Sequence, residues 1–179
     1  MKRLFLVLLT LSAFLGTPLA AADKANTLYL DLKDGRVVIE LFPNVAPKMV
    51  ERVKTLTKQG FYNGLKFHRV ITGFMAQTGD PTGTGSGGSK LSNVKAEFSS
   101  TPFKRGTLGA ARTDQSDTAN SQFFICFEEA SHLNGKYTAF GQVIEGMQFV
   151  DRIKKGNGPG GEVFTPDTIV KMQLASDAK

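Results

Sequence analysis

Histidine, cysteine and long apolar runs are scarce in this 179-residue sequence, and each shortage excludes something. There are two histidines, His68 and His132, and one cysteine, Cys126. Nucleophilic hydrolysis needs a base beside a serine, threonine or cysteine and a third group to orient it, and two isolated histidines offer no such set. A zinc site would need carboxylates at ligand spacing, which are missing, so neither a metal nor another cofactor is expected. A single cysteine forms no internal disulfide, and within the apolar run FFICF it reads as a buried, inert thiol. Lysine and arginine exceed Asp and Glu by 22 to 16 but never cluster, which points to solubility and weak attraction for anionic surfaces instead of nucleic-acid binding. No apolar stretch reaches the ~18 to 20 residues of a membrane span.

The nearest approach, Leu4 to Gly16, comes after Lys2 and Arg3 and precedes Ala20-Ala21-Ala22. Basic start, short apolar middle and small-residue end are the parts of a secretory signal, so residues 1–22 are expected to be removed after Ala22. The expected mature chain is then 23–179, a single domain able to build its own core, with the formal charge of +6 lowered by two. The periplasm is its expected location, with secretion as the alternative and no membrane attachment after cleavage. With no long apolar stripe left over, a monomer is expected.

Along that chain, Leu28, Leu30 and Leu32 alternate with polar neighbours up to Asp34-Gly35, after which Val37, Ile39 and Leu41 resume the alternation. This predicts a hairpin. PKMVERVKTLTKQG predicts an amphipathic helix that opens on Pro47, carries Val50, Val53 and Leu56 on one face and stops at Gly60. EGMQFVDRIKKG predicts a second helix, while KFHRVI, FMAQTG, the segments around 107–111 and 122–127, KYTAFGQVI and DTIVKMQLA predict strands. Many short strands with two helices imply a closed antiparallel barrel whose open ends the helices cover.

GDPTGTGSGGSK places Gly83, Gly85 and Gly88 in the spacing of a dinucleotide fingerprint. The next segment, SKLSNVKAEF, has no helical stripe, and no Gly-Lys-Ser or Gly-Lys-Thr is present, so the glycines read as a loop at the barrel mouth. KFHRVITGFMAQTGD is more informative, because Arg69 shares a strand face with Phe67 and Ile71 while Phe74, Met75 and Gln77 lie on the next strand. Alternation sends His68 to the opposite face, as a packing residue. In NSQFFICF, Gln122 and Phe124 share one face and Phe123 and Ile125 the other. An arginine, two amides and several aromatic rings without an acid or base make a surface for holding peptide groups.

FHRVITGFMAQTGD, SQFFI and FGQVIEGM, in that order, resemble the cyclophilin family of peptidyl-prolyl cis/trans isomerases, over about Thr27 to Leu174. The resemblance implies an eight-stranded antiparallel barrel closed by two helices, with a groove on one outer face that rotates X-Pro bonds and assists the folding of exported proteins. By position, Arg69 looks like the catalytic arginine, and Gln77 and Phe74 complete the catalytic set. Met75 and Phe124 stand with Phe74 as walls of the proline pocket, Gln122 binds peptide and orients the arginine, and Ala111, Arg112, His132, Leu133 and Tyr137 match further groove positions. Several departures stand out: Thr78 replaces a small residue, Arg112 replaces a frequent asparagine, His132 replaces the tryptophan of members sensitive to cyclosporin, and Tyr137 replaces a histidine. The expected partners are therefore proline-containing peptide segments, with weak cyclosporin binding. A rival reading is a proline-peptide binding module without catalysis.

Overall fold

The computed structural model describes residues 23–178; the expected signal sequence, 1–22, lies outside them. Strands β1 (Thr27–Leu32) and β2 (Gly35–Leu41) form the expected antiparallel hairpin, in which Leu28 faces Ile39 and Leu30 faces Val37. Glycine is required at 35 because φ is +149° and the ring of Phe149 lies where a Cβ would project. The first helix, α1 (Pro47–Lys58), buries Met49, Val50, Val53 and Leu56. Its N-cap, Ala46, has no side chain to offer, and the Glu97 carboxylate takes the free Lys48 and Met49 N–H groups at 3.0 Å each. That cap comes from almost fifty residues away, so no local pattern announces it.

The remaining strands are β3 (Arg69–Ile71), β4 (Met75–Thr78), β5 (Thr107–Ala110), β6 (Phe123–Cys126), β7 (Ala139–Glu145) and β8 (Lys171–Leu174). Helix α2 covers only Met147–Asp151, shorter than its sequence pattern predicts. Beyond it the Lys154 N–H turns to the Asp167 carboxylate, and the Lys155 ammonium bonds the carbonyls of Asp151 and Ile153.

All eight strands belong to one antiparallel sheet ordered β3-β4-β6-β5-β7-β2-β1-β8. The expectation of a closed barrel needs correction, since the sheet curls but its end strands β3 and β8 do not pair. The reason lies at the edge of β3, where the Val70 N–H donates to Gly161 and the Val163 N–H to the His68 carbonyl, so residues 161–163 occupy the side that β8 would need. Only the segments leading into the two strands meet, through a single bridge between Lys66 and Thr168 and bonds such as Phe67 N–H to the Asp167 carbonyl.

Inside the curl lies the main core, which includes Leu28, Leu30, Ile39, Leu56, Tyr62, Phe67, Phe123, Ile125 and Phe140. A second, smaller cluster of Met75, Phe103, Phe124, Cys126, Leu133 and Ala139 packs on the other side of β4 and β6. Strand β6 explains the division, because Phe123 and Ile125 point into the curl while Phe124 and Cys126 point out, and all four are buried. A strand this apolar on both faces needs cover on its outer side, and the outer cover is where a groove forms. Among the described residues, no helix is long and apolar enough to cross a membrane.

Candidate active site

Strands β3 and β4 place Arg69 directly opposite Gln77. The half-buried guanidinium donates from one terminal nitrogen to Gln77 Oε1 at 3.1 Å and from Nε to the Gly160 carbonyl at 2.9 Å. Gln77 in turn donates to Gln122 Oε1 at 2.8 Å, and Gln122 donates to the carbonyls of Gly85 and Gly87 at 2.9 and 2.8 Å. Hydrogen bonds thus run from the glycine loop through two amides to the arginine. A guanidinium has five N–H donors, so two bonds leave it donors to spare, and no described carboxylate forms an ion pair with it.

A cavity of about 780 Å³ opens beside this chain, lined by Arg69, Phe74, Met75, Gln77, Ala111, Arg112, Phe124, His132, Leu133 and Tyr137. Gln122, the remaining residue singled out from the sequence, borders the adjoining hollow and reaches the first through Gln77. The aromatic walls brace one another: Phe74 leans on His132 with ring centres 5.2 Å apart, Phe124 meets Tyr137 edge-on at 6.0 Å, and Phe103 stacks behind Phe124 at 5.9 Å. Gly109 is part of that support, because a Cβ there would run into the rings of Phe124 and Phe103. The Arg112 guanidinium lies 4.3 Å above the Tyr137 ring.

Two placements differ from the alternation read in the sequence. Phe67 belongs to the main core and not to the face of Arg69, because the ladder begins only at Arg69 and the chain before it runs irregularly. For the same reason His68 does not turn away from the cavity but lines it beside Arg69, 6% exposed, with neither ring nitrogen hydrogen-bonded among the described residues. Burial pulls the His68 imidazole below its usual 6.5; the Asp80 carboxylate opposes this and Arg69 adds to it.

Sequence reasoning also missed two parts of the frame. The wall formed by Gly160, Glu162 and Val163 comes from the segment GNGPGGEV, whose only local signal was its glycine density. Asp80 organises the other glycine-rich loop, accepting from the Thr82 hydroxyl and from the backbone N–H groups of Thr82, Thr84, Gly85 and Gly87. Burial alone would raise the pKa of this carboxyl, but the donors outweigh it and bring it to about 2. Cys126 lies beneath the cavity, fully buried, and burial pushes its thiol up to about 12, leaving it no nucleophilic role. Among the described residues no three His, Cys, Asp or Glu side chains gather as metal ligands.

The family model for cyclophilin-type peptidyl-prolyl cis-trans isomerase matches residues 27–174. A Brucella suis protein named "Probable peptidyl-prolyl cis-trans isomerase" is 49% identical over 172 residues, covering 89% of this chain and 88% of the relative. A cyclophilin structure from Hirschia baltica superposes with a TM-score of 0.80 at 26% identity, over 88% of this chain and 77% of its own. A Cryptosporidium parvum cyclophilin-type isomerase, solved in the presence of the dipeptide Ala-Pro, gives 0.75 at 28% identity, over 83% and 98%.

Proposed function

The chain belongs to the cyclophilin family of peptidyl-prolyl cis/trans isomerases and is an enzyme of that type; from this premise we propose that Arg69 is its catalytic donor and the aromatic cavity its proline pocket. The observation that carries the proposal is the guanidinium anchored through Gln77 beside an apolar wall, with N–H donors still free.

Twisting an amide forfeits its C–N resonance, at a cost of ~18 to 20 kcal/mol. Rotation about X-Pro therefore takes tens to hundreds of seconds unaided, although both isomers are populated. No covalent bond changes, so the reaction asks for neither nucleophile nor proton carrier, in keeping with the buried thiol. In the twisted state the prolyl nitrogen becomes pyramidal and regains a lone pair, which an N–H of Arg69 meets. The planar ground state has no such acceptor, so the interaction favours the transition state selectively. Arginine suits the task because its side chain remains a donor at any accessible pH.

Magnitudes divide the labour. Raising a rate from ~10⁻² to ~10³ s⁻¹ takes about 7 kcal/mol. One charge-assisted hydrogen bond contributes ~1.5 to 3 kcal/mol. The balance falls to Phe74, Met75, Phe124 and Leu133, which hold the proline ring while Gln77 and Gln122 keep the arginine and the adjoining backbone in place. The Cryptosporidium relative, solved with Ala-Pro present, supports a proline-containing peptide as the ligand. The basic, apolar and small-residue order of residues 1–22 supports export, and an exported isomerase would have other exported proteins as its clients.

The test is NMR exchange spectroscopy on a short Ala-Pro peptide with residues 23–179 and with Arg69→Ala. Accelerated exchange that the folded variant mostly loses is the expected result. Peptide signals that broaden while exchange stays at its spontaneous rate would make the groove a binding site only.

A further inference from the structure

Beyond the sill formed by Gln77, Gly85, Ala111 and Arg112, which also line the proline cavity, lies a second hollow of about 580 Å³. Its chemistry is opposite to that of the first. Its walls are glycine backbone, the hydroxyls of Ser86, Ser89, Thr113 and Thr118 and the amides of Asn93, Asn120 and Gln122, with Ala111 as the one apolar side chain. No lysine, histidine or carboxylate borders it, and Arg112 supplies its single charge.

Arg112 is held without being neutralised. Its terminal nitrogens donate to the carbonyls of Thr113, Asp114 and Lys136 at 2.7, 3.1 and 3.0 Å, its Nε is buried with no acceptor, and Tyr137 supports the flat face of the group. Every partner is a neutral carbonyl or a ring, and no carboxylate among the described residues forms an ion pair with this guanidinium at the lip of a polar hollow. The N–H groups of Asn120 and Gln122 are already given to carbonyl and amide oxygens, but the Ser86 hydroxyl and the Asn93 amide remain able to donate to an anion, whereas a cation would meet Arg112 with nothing to offset the repulsion.

We infer that this hollow selects substrates by charge, receiving the carboxylate side chain of a Glu or Asp close to the isomerised proline, and that Arg112 is the residue that sets the preference. An extended chain advances ~3.3 to 3.6 Å per residue, so a neighbouring hollow is served by a residue one or two positions from the proline. This rests on the proline pocket assigned above and adds the substrate class. It also gives the arginine at 112 a role that an uncharged side chain there could not fill.

The experiment compares peptides that carry Glu, Gln or Lys at each of the two positions before and after a central proline. For each, kcat/KM is measured with the unmodified protein and with Arg112→Gln and Arg112→Lys, always as a ratio to the Gln peptide in the same variant. Dissociation constants come from amide shifts of Gly87 and Thr113. At one position Glu should exceed Gln by about three- to fivefold, the range of a solvent-screened ion pair, and Lys should fall below both. The gain should appear in KM, shrink in high salt, vanish in Arg112→Gln and persist in Arg112→Lys. Equal values for Glu, Gln and Lys at all four positions, or a Glu preference that survives Arg112→Gln, would overturn the inference. If no peptide is isomerised, the proline-pocket assignment fails, and the dissociation constants still decide the charge preference on their own.

Discussion

Arg69 and Gln77 stand directly across from one another in the β3–β4 ladder, and their side chains reach the same side of the sheet to share a 3.1 Å hydrogen bond. The position of the guanidinium is thus set by strand register, which backbone pairing fixes firmly. A catalytic donor on a free loop would have to be ordered by its substrate at each turnover.

Removing that donor should affect rate far more than folding. Arg69→Ala is expected to lower kcat/KM by about 10- to 150-fold, the worth of one charge-assisted hydrogen bond. Its melting temperature should stay within a few degrees, because the half-buried side chain gives up only bonds to a carbonyl and an amide. Exchange spectroscopy alongside thermal unfolding measures both.

Gln122 is the joint between arginine and loop, which makes its two functions separable. Gln122→Glu retains an acceptor for Gln77 but has no N–H for the carbonyls of Gly85 and Gly87. Amide hydrogen exchange in residues 83–88 should accelerate in this variant, with a loss of kcat smaller than in Gln122→Ala, which breaks both links. Equal loss in the two variants would mean that the loop, and not the arginine, limits the rate.

Acid should loosen the glycine loop in a defined window. The folded state holds the Asp80 pKa at about 2, below the usual 3.8, so protons bind the unfolded chain more readily and stability falls as pH drops through this interval. The interaction is fully present above pH ~4 and amounts to about 2 kcal/mol. Asp80→Asn should be less stable at neutral pH by a similar amount and should lose the part of the acid-unfolding slope between pH ~4 and ~2, as urea titrations at several pH values would show.

Activity, by contrast, should be level across neutral and mildly alkaline pH, because burial keeps the His68 ring neutral there. Its lowered pKa makes protonation easier in the unfolded chain, so a stability loss begins as pH falls below 6.5. His68→Gln should remove that early acid limb and leave the one due to Asp80. A bell-shaped kcat profile centred near neutrality would argue against Arg69 acting without a proton carrier.

The sequence showed most clearly what repeats along one element. Strict alternation marked the β1–β2 hairpin, and a 3.6-residue stripe with Pro47 in front marked α1. The opposite faces of β6 were visible because two residues of each kind alternate without interruption. His68 and Phe67 were misjudged because period-two reasoning assumes a strand, and there the chain is irregular until Arg69. Gly160 and Glu97 were invisible for a different reason, since each acts on groups brought to it by folding, whereas Asp80 takes N–H groups only two to seven residues ahead of it, a local turn signal that was overlooked. The open edge of the sheet belongs to the same class, because nothing local to β3 says that residues 161–163 will occupy it.

The pairing of β1 with β8 ties Leu28 to Leu174, nearly the whole described chain apart. A ribosome delivers the first strand long before the last, so β1 must wait with one edge bare. Until β8 arrives, Leu28 and Leu30 are protected on the β2 side alone, and a chain broken off before Lys171 would keep that edge available to any other strand it met. An enzyme that turns prolyl bonds is itself, by its topology, slow to finish and exposed while it waits.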